Sequence, residues 1–245
     1  ALLVDVAGED EALRLALPGE GEALANPNRD ATAVTVVAVD LSLSQDALAG
    51  KPRYQVVRRY LWQGEKHSTL YTRLLALAES WQAEKLVVDG SGVGAGLASF
   101  LRDRLGERVS VLNFSQQVKS RLGWGFLSVV DTGRFQDYRA ALPAEALQEA
   151  DPARAANAAE QQRLQALFFR QLAGVSAEVR LGPERLLRWG VPEGRRDGMG
   201  GGLLHDDLVL SAAMVAVLDE QPWALHLPPA LIAARDPLRE MERCY

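Results

Sequence analysis

The stretch KLVVDGSGVGAG, from Lys85 to Gly96, is typical of a short buried strand followed by a glycine-rich turn and the start of a helix. Apolar residues at helical spacing precede it over residues 68–81 and follow it over residues 97–105. The stretch RVSVLNF, residues 108–114, predicts a further strand. This alternation of strands and helices predicts an α/β fold in which parallel strands are joined by right-handed crossovers.

Two longer apolar stretches precede this unit. AVTVVAVDL, residues 33–41, predicts a strand buried on both faces, and YQVVRRYLW, residues 54–62, predicts a strand antiparallel to it. Residues 1–31 are acidic and rich in Ala, Gly, Pro and Asn, which favours a linker or the end of a preceding region. We therefore expect one domain over residues 32–221 and a proline-interrupted tail over residues 222–245.

The composition limits the classes of function. The chain has 245 residues, of which 48% are hydrophobic and 24% charged, and its net charge is −5. This is the composition of a globular protein, and the acidic balance disfavours a nonspecific DNA clamp, since phosphate contacts dominate such binding. The single cysteine, Cys244, excludes a disulfide within the chain and a cysteine-based metal site. The sequence shows no apolar run long enough to span a bilayer and no signal peptide.

Aspartates follow two predicted strands and precede one predicted helix. Asp40 ends the first long strand, Asp89 ends KLVVD, and Asp206 and Asp207 stand where a glycine-rich loop enters the apolar stretch LVLSAAMVAVL. Because sites in open α/β sheets form outside the carboxyl ends of strands, we expect these carboxylates to meet. Their repulsion would raise their pKa values unless cations neutralise them. Oxygen-only ligands favour Mg²⁺ or Mn²⁺, and two such ions would clamp the attacking and leaving oxygens of a phosphodiester.

Each position also has an ordinary structural interpretation, which the sequence leaves open. An aspartate after a strand often forms a turn with its own backbone. Asp206 could cap the helix, and Asp207 could interact favourably with the helix dipole. The glycines after Asp89 could cradle a phosphate or simply let a helix start close to a strand, and they lack the Lys-Ser/Thr of a P-loop.

Three segments resemble the nuclease domain of the large terminase of tailed bacteriophages. They are VVAVD ending at Asp40, VVDGSGVG around Asp89, and LLHDDLVLSAAMVA near the C-terminus. The resemblance implies a ribonuclease H-like fold, a mixed sheet flanked by helices. It also implies a divalent-metal-dependent endonuclease that cuts concatemeric viral DNA during genome packaging. By position, it implies that the catalytic metal ligands, holding two Mg²⁺ or Mn²⁺ ions, are Asp40, Asp89, Asp206 and Asp207.

Three features depart from the family pattern. Asp40 is followed by Leu41 and Ser42 rather than by a nearby glycine, and Asp89 stands where some relatives have a glutamate. The chain also has no Walker A sequence. The packaging ATPase is therefore expected in another part of a longer protein or in a separate one, and residues 1–31 would be the linker to it or its end.

Basic residues near these motifs are candidate DNA contacts. Lys119 and Arg121 follow the strand that ends at Phe114, in a region where similar proteins have a flexible element over the site. An arginine cluster before the HDD motif could position phosphates, and its members are Arg180, Arg185, Arg188, Arg195 and Arg196. His205 is expected to support the ligands from outside the metal sphere. Ordinary exposed side chains are the alternative interpretation for all of them.

The resemblance implies double-stranded DNA, the packaging ATPase, a portal and a small terminase as partners, in the host cytoplasm. A Holliday-junction resolvase or another ribonuclease H-like nuclease is an alternative with the same carboxylate chemistry, although such enzymes are typically shorter. An actin-like ATP-binding protein needs two similar domains, for which 245 residues are too few. A DNA-binding or motor-docking module without catalysis is the alternative from another class.

Overall fold

The computed structural model describes residues 1–10, 26, 28–41, 51–138, 151–182, 184–198, 201–221 and 223. Within them, six strands form one sheet and two strands form a separate hairpin. The strands of the sheet are β1 (Leu2–Asp5), β2 (Ala31–Asp40), β3 (Arg53–Gln63), β4 (Leu86–Asp89), β5 (Val109–Leu112) and β6 (Phe135–Gln136). The hairpin consists of β7 (Ser176–Val179) and β8 (Leu187–Gly190).

The sheet is mixed, with the strand order β5-β4-β1-β2-β3-β6. β1, β4 and β5 run parallel to one another, whereas β2 is antiparallel to both β1 and β3, and β6 pairs in parallel with β3. The predicted α/β class is confirmed, as is the antiparallel pairing of the two long strands. The ends of the strands form two edges of the sheet, which are distinct from its outer strands β5 and β6. The carboxyl ends of β1, β4 and β5 lie at one of these edges, and the carboxyl end of β2 lies at the other.

Six helices cover the two faces of this sheet within the described residues: α1 (His67–Ser80), α2 (Ala95–Leu105), α3 (Gln116–Asp131), α4 (Pro152–Gly174), α5 (Asp207–Ala213) and α6 (Val215–Asp219). Because successive side chains of β1 point to opposite faces of the sheet, this strand contributes to the core on both faces. Leu2 and Val4 pack with α1 and α2, whereas Leu3 packs with α3, α4, α5 and α6. None of these helices is both long and apolar enough to cross a lipid bilayer.

The first residues belong to the centre of the sheet. β1 lies between β4 and β2, and all four of its residues are buried. This placement corrects the expectation that residues 1–31 form a linker and that the domain starts at residue 32. Residues 11–25 and 27 of that segment lie outside the described residues, as do residue 222 and residues 224–245 of the expected tail. The short apolar strand escapes a sequence-based prediction because the acidic composition of the whole segment outweighs four residues.

Two helical regions differ from their expectations. The residues after Phe114, expected to lead into a flexible element, form the regular helix α3, which Ser115 caps by accepting a hydrogen bond from the Val118 amide at 3.2 Å. The apolar stretch after the HDD motif is expected from the sequence to form one helix. It forms α5 and α6, which meet at Met214, and the residues of both helices are buried up to Leu218.

Helix α4 covers, through polar contacts, the part of β3 that extends beyond its short pairing with β6. The Gln161 side chain accepts a hydrogen bond from the Arg59 amide and donates one to the Arg59 carbonyl oxygen, each at 3.0 Å. The Arg59 guanidinium is fully buried, pairs with Asp137 at 2.8 Å and lies 4.1 Å from the centre of the Phe168 ring. These contacts satisfy backbone groups that an edge strand would otherwise leave open to other strands.

Candidate active site

Register brings Asp5 and Asp89 side by side. Val4 of β1 pairs with Val88 of the parallel strand β4, so the next residue on each strand, Asp5 and Asp89, ends its strand at the same level. Because side chains alternate along a strand, both carboxyl groups project to the face that also receives Leu3 and Val87. This is the face on which α5 packs.

Helix α5 carries Asp206 and Asp207 to this edge of the sheet. Asp206 stands just before the helix and makes no side-chain capping hydrogen bond. Its Oδ2 atom instead accepts a hydrogen bond from the Val191 amide at 3.2 Å and lies 3.8 Å from Nζ of Lys119. The capping interpretation of Asp206 is therefore not what the structure shows, since its carboxylate faces the end of β8.

Asp207 is buried and tied to the sheet. Its Oδ2 atom accepts a hydrogen bond from the Ala31 amide at 3.1 Å, at the start of β2. Burial is the main reason that the pKa of Asp207 rises to about 8, and the charges of Asp30 and Asp206 add to the rise, against the hydrogen bond from Ala31. At neutral pH this carboxyl group therefore retains its proton unless a cation approaches.

Asp5 lies at the electrostatic centre of the group. The residue is only 8% exposed, and burial raises the pKa of its carboxyl group well above the ordinary value. The charges of Asp207, Asp89 and Asp206 raise that pKa further, and Lys119 is the cation that opposes them. In the described part of the chain, the Asp5 carboxylate accepts no hydrogen bond. A buried carboxylate in this position is costly without a positive partner.

The glycine-rich turn after β4 brings helix and strand close together. The Asp89 carboxylate accepts a hydrogen bond from the Ser91 amide at 2.7 Å, which forms a turn, while burial raises the pKa of Asp89. A Cβ on Gly94 would lie 2.6 Å from the Asp89 carbonyl oxygen. This contact supports the packing interpretation of the glycines, in which they let α2 start against the strand.

Asp40 is not part of this group, contrary to the expectation from the sequence. β2 is antiparallel to β1, and the Ala1 carbonyl oxygen accepts a hydrogen bond from the Val37 amide, so Asp40 lies beyond the amino end of β1. It is exposed and opposes Arg53 of β3. Asp40 therefore sits at the opposite edge of the sheet from Asp5, and its strand does not adjoin the strand of Asp89.

Asp5 is the site residue that the sequence interpretation missed. A signal for it exists, since LLVD of β1 and LVVD of β4 are nearly the same four residues, each an apolar run that ends in aspartate. Both strands are short and parallel, and a glycine follows each aspartate within three residues. Treating the two stretches as equivalent would have placed both carboxylates at the same edge of the sheet.

The predicted basic residues are divided between two surfaces. Lys119 and Arg188 line a cleft of about 600 Å³ that also includes Asp206, Trp189 and Glu193. The Trp189 ring packs below Lys119, whose Nζ lies 5.5 Å from the ring centre, and the indole nitrogen donates a hydrogen bond to the Lys119 carbonyl oxygen at 2.7 Å. The hairpin and α3 thus form one wall of the site.

The other predicted DNA contacts lie elsewhere. Arg121 is on a different side of α3 from Lys119 and forms an exposed ion pair with Glu220 at 3.3 Å. Arg195 and Arg196 are exposed on the turn between β8 and α5, where Arg196 donates a hydrogen bond to the Gly201 carbonyl oxygen at 2.9 Å. These two arginines flank the cleft without lining it, and Arg180 and Arg185 are exposed near the tip of the hairpin.

His205 supports the loop before β2. Its Nε2 atom lies 2.9 Å from the Asn28 carbonyl oxygen, and its Nδ1 atom lies 2.6 Å from Oδ1 of Asp30. The neighbouring Asp207 holds Ala31 of the same segment. His205 therefore acts on the backbone at the start of β2 and makes no described contact with Asp5, Asp89 or Asp206.

The chemistry of the group suits a hard divalent cation. It offers only carboxylate oxygens, the ligands that Mg²⁺ and Mn²⁺ prefer, and a buried acceptor, Asp5, that has no donor of its own among the described residues. These residues contain no cluster of three or more acidic, histidine or cysteine side chains with the spacing of a metal centre. The carboxylates interact through space, and a cation would have to draw them together.

The mixed six-stranded sheet flanked by helices matches the ribonuclease H-like fold that the resemblance implies. Among solved structures, the large terminase nuclease of the thermophilic phage G20c with bound magnesium matches with a TM-score of 0.51 and 16% identity, covering 88% of this chain and 79% of that one. The chain therefore has the fold of a large terminase nuclease domain, which confirms the resemblance at the level of the fold.

Two further structures of the same phage nuclease are also similar. One matches with a TM-score of 0.49 at 19% identity over 80% of this chain and 78% of that one. The structure with bound cobalt matches with a TM-score of 0.48 at 19% identity over 78% of this chain and 77% of that one. No known family profile matches the chain, and no curated protein matches it in sequence.

Proposed function

We propose that this chain is a divalent-metal-dependent DNA endonuclease that cuts concatemeric viral DNA during genome packaging. The observation that carries this proposal is the group of four carboxyl groups formed by Asp5, Asp89, Asp206 and Asp207, in which Lys119 is the cation that acts on Asp5 among the described residues. A group of acidic side chains that share a buried edge of a sheet is unfavourable for stability alone. It is expected where a bound cation supplies the missing charge.

In this proposal Asp5, Asp89 and Asp206 hold the ions, and Asp207 is a further ligand that also fixes the start of β2. Asp5 replaces Asp40 in the set predicted from the sequence. Two bound Mg²⁺ or Mn²⁺ ions would supply the activation of a water molecule and the stabilisation of the charge that develops on the phosphate. The bound magnesium of the phage G20c nuclease supports a divalent cation in a site on this fold.

The residues of the cleft bind and orient the DNA strand. Lys119 and Arg188 supply positive charge beside Asp206, where a scissile phosphate would approach the carboxylates. Arg195 and Arg196 lie further out, so their contribution is to hold the DNA that leaves the cleft. Double-stranded DNA and a packaging ATPase are the partners that this role requires, and a portal and a small terminase belong to the same proposal.

Plasmid cleavage tests the proposal directly. Supercoiled plasmid is incubated with the chain in Mn²⁺, Mg²⁺ or EDTA, beside an Asp206→Ala variant. We expect cutting in the presence of either ion, none in EDTA, and none by the variant. If folded protein neither binds Mn²⁺ in calorimetry nor cuts the plasmid, the carboxylates are structural, and a non-catalytic DNA-binding or motor-docking module becomes the better interpretation.

Cleavage of a four-way DNA junction distinguishes this proposal from the alternative enzyme, a junction resolvase. A junction resolvase would cut the junction in preference to a linear duplex of the same sequence, whereas a packaging nuclease would cut both. The proposal predicts no preference for the junction, and a strong preference would assign the site to the resolvase class.

A further inference from the structure

The end of strand β8 touches both charged partners at the edge of the candidate site, although β8 is outside the main sheet. Three consecutive residues make these contacts. The Trp189 side chain packs against Lys119, Gly190 lies against Asp206, and the Val191 amide donates a hydrogen bond to Oδ2 of Asp206. Neither the fold nor the resemblance assigns a role to them.

Gly190 is the residue at which space is limiting. A Cβ at this position would lie 2.5 Å from Oδ2 of Asp206 and 3.5 Å from Nζ of Lys119. The first of these distances is far below van der Waals contact, so any side chain would force Asp206 away. Gly190 also has a φ of 142°, a conformation that residues with a Cβ rarely adopt.

The anchoring of β8 to α3 makes this arrangement rigid. The Leu187 amide donates a hydrogen bond to Oγ of the buried Ser120 at 2.9 Å, and the Trp189 indole donates one to the Lys119 carbonyl oxygen at 2.7 Å. Both Leu187 and Trp189 are less than 10% exposed. The strand therefore cannot shift without moving the helix that carries Lys119.

We infer that Trp189, Gly190 and Val191 are positioning residues that hold the Asp206 carboxylate and the Lys119 ammonium in a fixed relation at the site. The inference rests on the proposed function, since the carboxylate is positioned for a divalent cation. Val191 occupies one side of the Asp206 carboxylate with a donor, which orients the remaining lone pairs. Residues that orient a metal ligand in this way typically change metal affinity when they are altered.

The test compares Gly190→Ala with Gly182→Ala. Gly182, at the other end of the hairpin, has a φ of 155°, and a Cβ there would meet nothing within 4 Å. Both substitutions place an alanine in an unfavourable backbone conformation, but only the one at Gly190 pushes on Asp206. Each variant is examined by thermal unfolding in EDTA, by calorimetric titration with Mn²⁺, and by plasmid cleavage over a range of Mn²⁺ concentrations.

We expect Gly190→Ala to bind Mn²⁺ about 10- to 100-fold more weakly than the unaltered chain, with a matching rise in the Mn²⁺ needed for half-maximal cleavage. Gly182→Ala should keep the affinity of the unaltered chain while losing thermal stability through its backbone strain alone. Equal Mn²⁺ affinity in the two variants and the unaltered chain overturns the inference and leaves the proposed function standing. Absence of Mn²⁺ binding by the unaltered chain overturns both.

A second variant decides the matter if Gly190→Ala does not fold in EDTA. Trp189→Phe keeps an aromatic ring under Lys119 and removes the hydrogen bond to the Lys119 carbonyl oxygen. We expect this variant to bind Mn²⁺ with unchanged affinity and to cleave plasmid more slowly at saturating Mn²⁺. A maximal rate equal to that of the unaltered chain would count against a positioning role for β8.

Discussion

Aspartates at the two edges of the central sheet have opposite electrostatic environments. At the edge opposite the candidate site, Asp219 accepts hydrogen bonds from Lys51 at 2.8 Å, from the Tyr54 hydroxyl at 3.0 Å and from both terminal nitrogens of Arg134. Burial alone would raise the pKa of Asp219, but these donors outweigh it and hold the pKa below its ordinary value. Asp5, at the other edge, has three acidic neighbours and a raised pKa.

The comparison shows that the Asp219 carboxylate stabilises the fold, whereas the Asp5 carboxyl group is unfavourable for the stability of the fold. The donors around Asp219 tie α6, β3 and the residues after α3 together, so the charge is neutralised by the protein itself. Around Asp5, within the described residues, Lys119 is the cation that opposes the charges of three aspartates, and the pKa of Asp5 stays raised. A carboxylate group of the second kind is a candidate for function, since perturbed pKa values concentrate at functional sites.

Asp5→Asn should produce the largest change. The substitution keeps the size of the side chain and removes the charge at the centre of the group. We expect a loss of plasmid cleavage greater than the ~100-fold that follows from altering residues around a metal ligand. Asp40→Asn is the matched control at the other end of the sheet, and its cleavage rate in Mn²⁺ should equal that of the unaltered chain. Inactivity of Asp40→Asn beside an active Asp5→Asn would restore the original sequence assignment.

Asp219→Asn should act on stability instead of cleavage. The variant leaves the Arg134 guanidinium, whose side chain is 13% exposed, without its negative partner. We expect the free energy of unfolding in urea to fall by about 3 kcal/mol, as when one member of a buried ion pair is removed. Cleavage per folded molecule should be unchanged. Asp103→Asn, at an exposed position of α2, is the control and should stay within about 0.5 kcal/mol of the unaltered chain.

Lys119→Met and Arg121→Met compare two basic residues of one helix. Lys119 faces Asp206 and the cleft, whereas Arg121 pairs with Glu220 on another side. We expect Lys119→Met to slow cleavage by about 10-fold or more, within the range seen for residues that contact metal ligands. Arg121→Met should have little effect, because an exposed ion pair contributes less than about 1 kcal/mol. Equal losses in initial-rate measurements at low salt would instead indicate that both residues bind DNA phosphates.

Much of the fold is predictable from the sequence, because it depends on local patterns. The apolar runs over residues 33–41 and 54–62 and the alternation around KLVVD give the strands, their burial and the α/β class. The positions of Asp89, Asp206 and Asp207 at element ends follow from the same patterns. In each case the signal lies within about ten residues of the position that it predicts.

The error at Asp40 comes from information that is not local. Whether a strand-end aspartate reaches the site depends on the direction of its strand in the sheet, and β2 reverses because it pairs with β1. The pairing of Ala33 with Asp5 joins residues that are far apart in the sequence. Arg121 lies on another side of α3 from Lys119 for a similar reason, since two residues along a helix differ by more than half a turn. The close approach of Gly190 to Asp206 likewise joins residues from different elements.

A pH-dependent effect on stability is expected at Asp207. Its pKa is 3.8 in an unfolded chain and about 8 in the folded one, so between these values the folded state keeps a proton that the unfolded state has released. Raising the pH through this window therefore destabilises the folded chain, and the stability that is present below the unfolded pKa is lost as the pH passes the folded pKa. The free energy of unfolding falls by about 1.4 kcal/mol for each pH unit within this window.

Asp207→Asn isolates this effect, because an amide oxygen still accepts the hydrogen bond from Ala31 and does not ionise. In EDTA, the variant should unfold at a higher temperature than the unaltered chain at pH 8 and at nearly the same temperature at pH 4. Adding Mn²⁺ at pH 8 should remove the difference or reverse it, because only the carboxylate can be neutralised by the ion. A difference independent of pH would mean that Asp207 acts through packing, and the contrast between the two edges would then rest on Asp5 and Asp219.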